Sequence, residues 1–316
     1  MLVAAGPFTT TDNVDYTPLA ELLRAATSRK VSGVVLLGPF VDEQHPHVAS
    51  LDVPMTFDNL FEQRVLQPIV SLIEAQLEAA AEDESASIAH IVLMPSTRDA
   101  HHSAVFPQPA LTCAVPEAVA PYVHLLPNPA GFSLGGVNVA ASSLDVLMLL
   151  GQQELAKAAP ADASKPKPLE RMPRLASHLL QQRQFLPLVP VPLDEKAPLA
   201  VDPVANFKAG GMGARPDILL VPSDLAPFAK EALGGVLCIN AGRLARKQAG
   251  GSFACVCVHP PSEGDNATGA PAPADGDQME TEGAADGDAK GGEPMDVEKD
   301  KTDQAAAAAV AAAAEG

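Results

Sequence analysis

The stretch VLMPSTRDAHH, Val92 to His102, sets Arg98, Asp99, His101 and His102 directly after an apolar run and Pro95. Carboxylates and imidazoles in that setting are the groups of general acid–base catalysis or of a divalent metal site. A guanidinium beside them is a recognition group for a carboxylate or a phosphate. A similar loop follows an earlier apolar run: LLGPFVDEQHPH carries Gly38, Pro39, Asp42, His45 and His47. Two later ones, LLVPSDL and CINAGRL, carry Ser223, Asn240 and Arg243. Adjacent histidines on a loop point different ways, so only one of His101 and His102 can meet a given metal. One of them is expected to pack under the loop and hydrogen-bond backbone. Asp99 is expected to cap the loop or to pair with Arg98. Asp42 is a second candidate partner for Arg98, and His45 and His47 read as exposed.

The elements that must position these loops alternate in type. VSGVVLLG and IAHIVLMP are near-continuous apolar runs, as in strands buried on both faces. PLAELLRAAT is a helix with Pro18 in its first turn. FDNLFEQRVLQPIVSLIEAQLEAA has Leu60, Phe61, Val65, Leu66, Ile69, Leu72 and Ile73 at helical spacing, with a kink expected at Pro68. GFSLGGVNVAAS reads as a hairpin turning at Gly135–Gly136. SSLDVLMLLGQQELAK is a helix with Ser142 and Asp145 in capping-box spacing. PRLASHLLQQRQ is helical. ARPD leads into the strand PDILLVP, and Ser223 is expected to cap a helix DLAPFAKEAL. GGVLCIN and GSFACVCVH read as strands, with a turn at Gly250–Gly251 before the last. Helices alternating with buried strands predict an α/β fold. In such sheets ligands collect at the carboxyl ends of the strands, where these loops lie.

Composition bounds the rest. The formal charge of −18 is uneven: 14 acidic residues and three lysines lie beyond Pro261, a net of −11. That segment, 261–316, lacks aromatics and apolar periodicity and is expected to be a disordered acidic, Ala/Gly/Pro-rich tail. Residues 1–260 are expected to form one domain, interrupted by a flexible loop at 158–168 (AAPADASKPKP). No basic stripe supports direct nucleic-acid binding. No apolar run is long enough to span a membrane, and MLVAAGPFTT lacks the form of a signal peptide, so an intracellular protein is expected. Cys113, Cys238, Cys255 and Cys257 contain no CxxC pair and read as free thiols, not as a zinc site.

The order and spacing of the loops resemble the calcineurin-like metallophosphoesterase fold, a sandwich of mixed sheets flanked by helices. That fold holds two metals on Asp-x-His, Gly-Asp-x-x-Asp, Gly-Asn-His-Asp, a lone His and Gly-His-x-His, bridging a water that attacks phosphorus. Here AAGPF offers no ligand for the first motif. GPFVD keeps Gly38 and Asp42, but Pro39 stands where the bridging Asp belongs. In PSTRD, Thr97 and Arg98 replace Asn and His while Asp99 survives. AASSLD has no clear histidine, and VPSDL puts Ser223 and Leu225 at the last histidine positions. A fixed positive charge at Arg98 opposes dication binding.

So eroded a phosphoesterase resembles the B-subunit family of the replicative DNA polymerases alpha, delta and epsilon. The resemblance is carried by GPFTTTD, LLGPFVDEQHPHV, PSTRDAHHSAVFPQP, NPAGFSLGGVNVAASSLDVL, HLLQQRQFLPLVP, PDILLVPSDL and INAGRLARKQAGGSFA, and runs from about Leu2 to about His259. RDAHH…PQP and NAGRL…GGSFA point to the alpha branch. The resemblance implies a non-catalytic scaffold with no cofactor or metal of its own, acting in the nucleus in initiation of DNA replication. Its implied partner is the C-terminal, zinc-containing module of the catalytic subunit of DNA polymerase alpha, with primase tethered indirectly and DNA met only through the complex. Gly38, Pro39, Asp42, Arg98, Asp99, His101, His102, Ser223, Asn240 and Arg243 would then be the structural rim of a lost active site. The family's N-terminal helical and oligonucleotide-binding-like parts have no counterpart here, so a fragment or truncated product is expected. Two alternatives remain open on residues alone: a working metal-dependent phosphoesterase or nuclease, and a regulatory module acting through the acidic tail.

Overall fold

Two five-stranded sheets carry the fold. In the computed structural model, which describes residues 1–83, 86–155, 170–191 and 199–259, Met1–Val256 cluster as one compact unit holding all the elements below, and a second unit begins at Cys257. The loop read at 158–168 and the tail from 261 lie outside the described residues. The first sheet runs β14 (Ala254–Cys255), β1 (Leu2–Ala5), β2 (Gly33–Leu37), β3 (His90–Met94), β5 (Val123–Leu125). All its strands are parallel except β14. The second runs β10 (Phe228–Glu231), β11 (Leu237–Asn240), β9 (Ile218–Leu220), β7 (Val137–Ala141), β6 (Ala130–Leu134), with the three central strands parallel and both edges antiparallel. Two minor pairs join β4 (Val105–Phe106) to β8 (Ala200–Val201) and β12 (Ala245–Arg246) to β13 (Ala249–Gly250).

The alternation of side chains along each strand builds the layers. Val3, Ala5, Val35, Leu37, Val92 and Met94 of the first sheet meet Val139, Ala141, Ile218, Leu220 and Ile239 of the second in one apolar cluster between them. Leu2, Ala4, Val34, Leu36, Ile91 and Leu93 point the other way, onto α1 (Thr17–Ser28) and the helical stretch from α3 (Phe57–Phe61) to α4 (Gln67–Glu82). α2 (Pro46–Ala49) is a single turn. The far face of the second sheet buries Ala140, Leu219 and Cys238 against α5 (Val146–Gln153) and α6 (Arg171–Gln182). α7 (Pro203–Ala209) completes the set. The mixed α/β expectation holds, and β2 and, beyond His90, β3 are apolar because both their faces are covered. Among the described residues no helix is long and apolar enough to cross a membrane.

Several local expectations need correction. The helix through Pro68 passes into a π-helical turn at Glu62–Leu66, and Pro68 falls in the first turn of α4. The wider turn relieves the missing N–H and the ring clash that would otherwise break the helix. Asp145, not Ser142, caps α5, taking the Met148 N–H at 3.0 Å. No helix follows Ser223: Pro227 cannot donate and disfavours helix in the residue before it, and Phe228–Glu231 pair with β11 instead. Gly250 lies within β13 and not in a turn; the turn here joins β12 to β13 at Lys247–Gln248, with Lys247 at φ 55°. His45 is buried, not exposed; it caps α2 and its Nε2 lies 2.8 Å from the Thr10 carbonyl oxygen.

Candidate functional site

The carboxyl ends of β1, β2 and β3 and those of β7, β9 and β11 open onto a common cleft. Pro39, Ser96, Thr97 and Arg98 line it from the first sheet, and Ser143, Asp145, Asp224 and Arg243 from the second, around a pocket of about 240 Å³. The loops after β1 and β2 approach so closely that only glycine fits between them: a Cβ on Gly6 would lie 2.0 Å from the Pro39 carbonyl oxygen. A Cβ on Gly38 would lie 2.6 Å from Asp99 Oδ2.

Asp99 is the knot of the first-sheet loops. Its side chain is fully buried, and it accepts the backbone N–H of Phe40 at 2.5 Å, of Val41 at 2.9 Å and of Ser96 at 2.7 Å. Burial pushes its carboxyl up to about 7, against the pull of these three donors and with the neighbouring Asp42 adding to the rise. Asp99 is therefore a loop-capping carboxylate; the guanidinium of Arg98 goes elsewhere. It grips Asp42, Nε to Oδ1 at 3.1 Å and Nη2 to Oδ2, as a two-pronged pair. Asp42 is buried and also takes the Gln44 N–H at 3.1 Å. Because Arg98 and Asp42 share this contact, their losses are expected to be non-additive by roughly 0.5–3 kcal/mol, the range for residues in direct contact. A cycle of Arg98→Ala, Asp42→Ala and the double variant in urea melts checks it; additive losses would mean the pair contributes nothing.

The two histidines divide the role expected of one. His102 Nε2 lies 2.9 Å from the Pro109 carbonyl oxygen, on a half-exposed ring. The His101 ring packs under the loop, stacked on Phe61 at 4.6 Å, yet neither of its nitrogens has a hydrogen-bond partner. Burial holds His101 down, to about 4, partly offset by Asp58. A base depressed in the folded state contributes stability that is present above its unfolded value, near 6.5, and lost as pH falls toward 4. Asp99, raised, works oppositely: its contribution is present below about 3.8 and lost as pH rises toward 7. The two slopes oppose between about pH 4 and 6.5. In His101→Phe the Asp99 slope stands alone, so stability should fall as pH rises across this window, by at most about 1.4 kcal/mol per pH unit. Parallel pH–stability curves for parent and variant would refute it.

On the second-sheet side, Asn240 is fully committed. Its Oδ1 accepts the N–H of Ser223 and of Gly242, both at 2.9 Å, and its Nδ2 donates to the carbonyls of Leu225 and Ala226. The Ser223 hydroxyl accepts the Leu225 N–H at 3.2 Å. Arg243 is buried. It donates from Nε to Asp224 Oδ1 at 2.7 Å and from Nη1 to the Gly6 carbonyl at 3.4 Å, with Nη2 3.8 Å from Asp145. It thus spans from β11 to the loop after β1.

Sequence reasoning passed over the polar groups that join the two halves. Asn128 and Gln108 are buried and share a side-chain hydrogen bond at 2.8 Å. Asn128 Oδ1 also accepts from the Ser142 hydroxyl and the Ser143 N–H, while Gln108 Nε2 donates to the Ser96 carbonyl. The signal was an amide between apolar residues and proline, in FPQP and LPNPAG.

A pair of divalent ions does not suit this donor set. Asp42 is bound to a fixed cation and Asp99 is spent on three N–H groups. Among the described residues no group of three or more His, Cys, Asp or Glu is arranged to hold a metal.

Residues 1–230 match the family of DNA polymerase alpha and epsilon B subunits. The chain is 31% identical over 270 residues to the DNA polymerase alpha B subunit of Rattus norvegicus, covering 85% of this chain and 41% of the relative. It is 32% identical to the Drosophila melanogaster protein of the same name, over 82% of this chain and 37% of that one. With the Schizosaccharomyces pombe protein the identity is 30%, over 84% and 43%. The chain spans about two fifths of the length of these relatives. Since the match extends over residues 1–230, the larger part of the chain, the chain belongs to the B-subunit family of DNA polymerases alpha and epsilon.

Proposed function

We propose that this chain is a non-catalytic accessory and scaffold element of the DNA polymerase alpha–primase complex. It binds the C-terminal, zinc-containing module of the catalytic subunit and reaches primase and DNA only through that assembly, in the nucleus. Residues 1–260 form a calcineurin-like phosphoesterase domain that has lost its chemistry, and 261–316 form an acidic tail. Gly38, Pro39, Asp42, Arg98, Asp99, His101, His102, Ser223, Asn240 and Arg243 are the rim of the former site, kept as structure.

The observation that carries this reading is the fate of the carboxylates at the cleft. Each would-be ligand is tied to protein: Asp42 to Arg98, Asp99 to the backbone of two loops. A water between two metals has nothing here to hold it. The name that the relatives share, as B subunits of DNA polymerase alpha, supports the partner.

Two measurements test it. The full chain, co-expressed with the C-terminal segment of a polymerase alpha catalytic subunit, should co-purify with it in stoichiometric amount. The purified chain should carry no stoichiometric divalent transition metal and hydrolyse no phosphodiester substrate. Metal-dependent turnover abolished by Asp42→Ala or Asp99→Ala would overturn the loss of chemistry. Failure to bind the catalytic segment would overturn the scaffold role.

A further inference from the structure

At the end of the first sheet away from the cleft, two histidines touch. His90 opens β3 and His124 lies in β5. The register that sets Val92 opposite His124 puts both rings on the face that meets the second sheet. His90 Nδ1 and His124 Nε2 are 3.0 Å apart, with ring centroids at 5.2 Å and an angle of 19° between the planes. Tyr122 packs on the His90 ring at 5.5 Å. Both histidines are half-buried. The strands fix their positions, since β3 pairs with β2 on one side and with β5 on the other. Sites built on strands hold their geometry better than sites built on loops. Among the described residues neither histidine forms an ion pair, so no carboxylate holds a proton on either ring. Burial, and then the neighbouring His90, hold the His124 ring below its usual range, so it is neutral at about pH 7 with a lone pair to give.

In the free protein one ring donates its N–H to the other. The same spacing has a second use. Two nitrogens each about 2.1 Å from one ion, at right angles to each other, lie about 3.0 Å apart, whereas a tetrahedral ion sets them about 3.4 Å apart. Right-angle geometry belongs to octahedral and tetragonal ions, and nickel(II) and copper(II) are those that imidazole suits. The χ2 torsion of histidine is broad, so the rings turn from facing each other to facing a shared ion without leaving their strands. The proton between them then moves to the outer nitrogen of the ring that carried it, His90 Nε2 or His124 Nδ1, and both rings ligate as neutral imidazoles. In the cleft Arg98 opposes a dication; here the one charge that acts on His124 is that of His90. We propose that His90 and His124 form a two-histidine binding site for a divalent transition ion of right-angle geometry. Among the described residues no third His, Cys, Asp or Glu completes a group of three, so water fills the remaining positions and the ion exchanges freely. The proposal does not depend on the scaffold reading, and a chain stripped of this ion on purification agrees with both.

The test uses the full chain with its histidines labelled with nitrogen-15, freed of metal by dialysis against a chelator and titrated with nickel(II) chloride. The expected result is saturable binding of one ion per chain, with paramagnetic loss of the His90 and His124 resonances before those of the other histidines. Saturating nickel should also raise the melting midpoint, because an ion that binds the folded pair and not the unfolded chain stabilises the fold. His90→Gln and His124→Gln should each weaken binding at least about tenfold, the lower end of what even a residue supporting a ligand costs, and should abolish the rise in midpoint. His47→Gln, at a histidine elsewhere on the surface, should change neither. Affinity unchanged in both pair variants, or other histidines bleached first, would overturn the proposal. So would a chain that binds no nickel, in which the contact is a hydrogen bond between strands and nothing more. Phosphodiester turnover that depends on Asp42 and Asp99, or failure to bind the polymerase catalytic segment, would leave these outcomes untouched, so the two readings fail separately.

Discussion

Asp99→Ala is expected to cost at least about 3 kcal/mol, from three buried N–H donors stranded at once at about 1–3 kcal/mol each. The donors belong to Phe40, Val41 and Ser96, so the loss unties the loop after β2 from the loop after β3. A domain of this size loses about 2–4 °C of Tm per kcal/mol, so the midpoint should fall by at least about 6 °C. Asp99→Asn retains a carbonyl oxygen but faces one set of donors with an amide N–H₂, and should fall between parent and alanine variant. The effect exceeds that of Arg98→Ala because Arg98 is part-exposed and its release leaves Asp42 within reach of water and the Gln44 N–H. A urea midpoint for Asp99→Ala within about 1 kcal/mol of the parent would mean the loops hold without the carboxylate.

Gly6→Ala is expected to be nearly as costly, for a steric reason. The added methyl would sit 2.0 Å from the Pro39 carbonyl oxygen, 2.9 Å from its carbon and 3.0 Å from its nitrogen. All three are backbone atoms, so no side chain can rotate away. Relief requires the loops after β1 and β2 to part, and the Gly6 N–H that donates to the Leu37 carbonyl at 2.8 Å parts with them. Overpacking of a rigid site costs about 1–3 kcal/mol and sometimes more, and the lost hydrogen bond adds to it. Gly136→Ala is the control: its positive φ strains alanine, but nothing lies within 4 Å of the new methyl. Thermal melts should rank Gly6→Ala below Gly136→Ala; the reverse order would show that the two loops can separate freely.

What the chain by itself determined is what periodicity and residue type report. The apolar runs of β2 and β3 mark strands covered on both faces, and the spacing of Leu60, Phe61, Val65, Leu66 and Ile69 marks one helical face. The polar loops after those strands mark the end of the sheet where a site belongs. That Pro39 and Arg98 stand at ligand positions is implied only by the resemblance to the phosphoesterase fold, and not by spacing or residue type. Pairing was decided only by the tertiary structure. Arg98 and Asp99 are neighbours in the chain, yet Arg98 turns to Asp42, 56 residues away, while Asp99 turns to Phe40, 59 residues away. Arg243 reaches the Gly6 carbonyl across 237 residues. Phe228–Glu231 is a strand because β11 offers it an open edge, although its own pattern also suits a helix. His101 and His102 are identical by type, and packing on Phe61 buries one ring and leaves the other beside the Pro109 carbonyl. Spacing along a chain assigns a residue to a face or to a loop. Which groups meet across loops depends on how the two sheets pack and on where burial leaves a donor or acceptor unmet, and neither is a local property of the sequence.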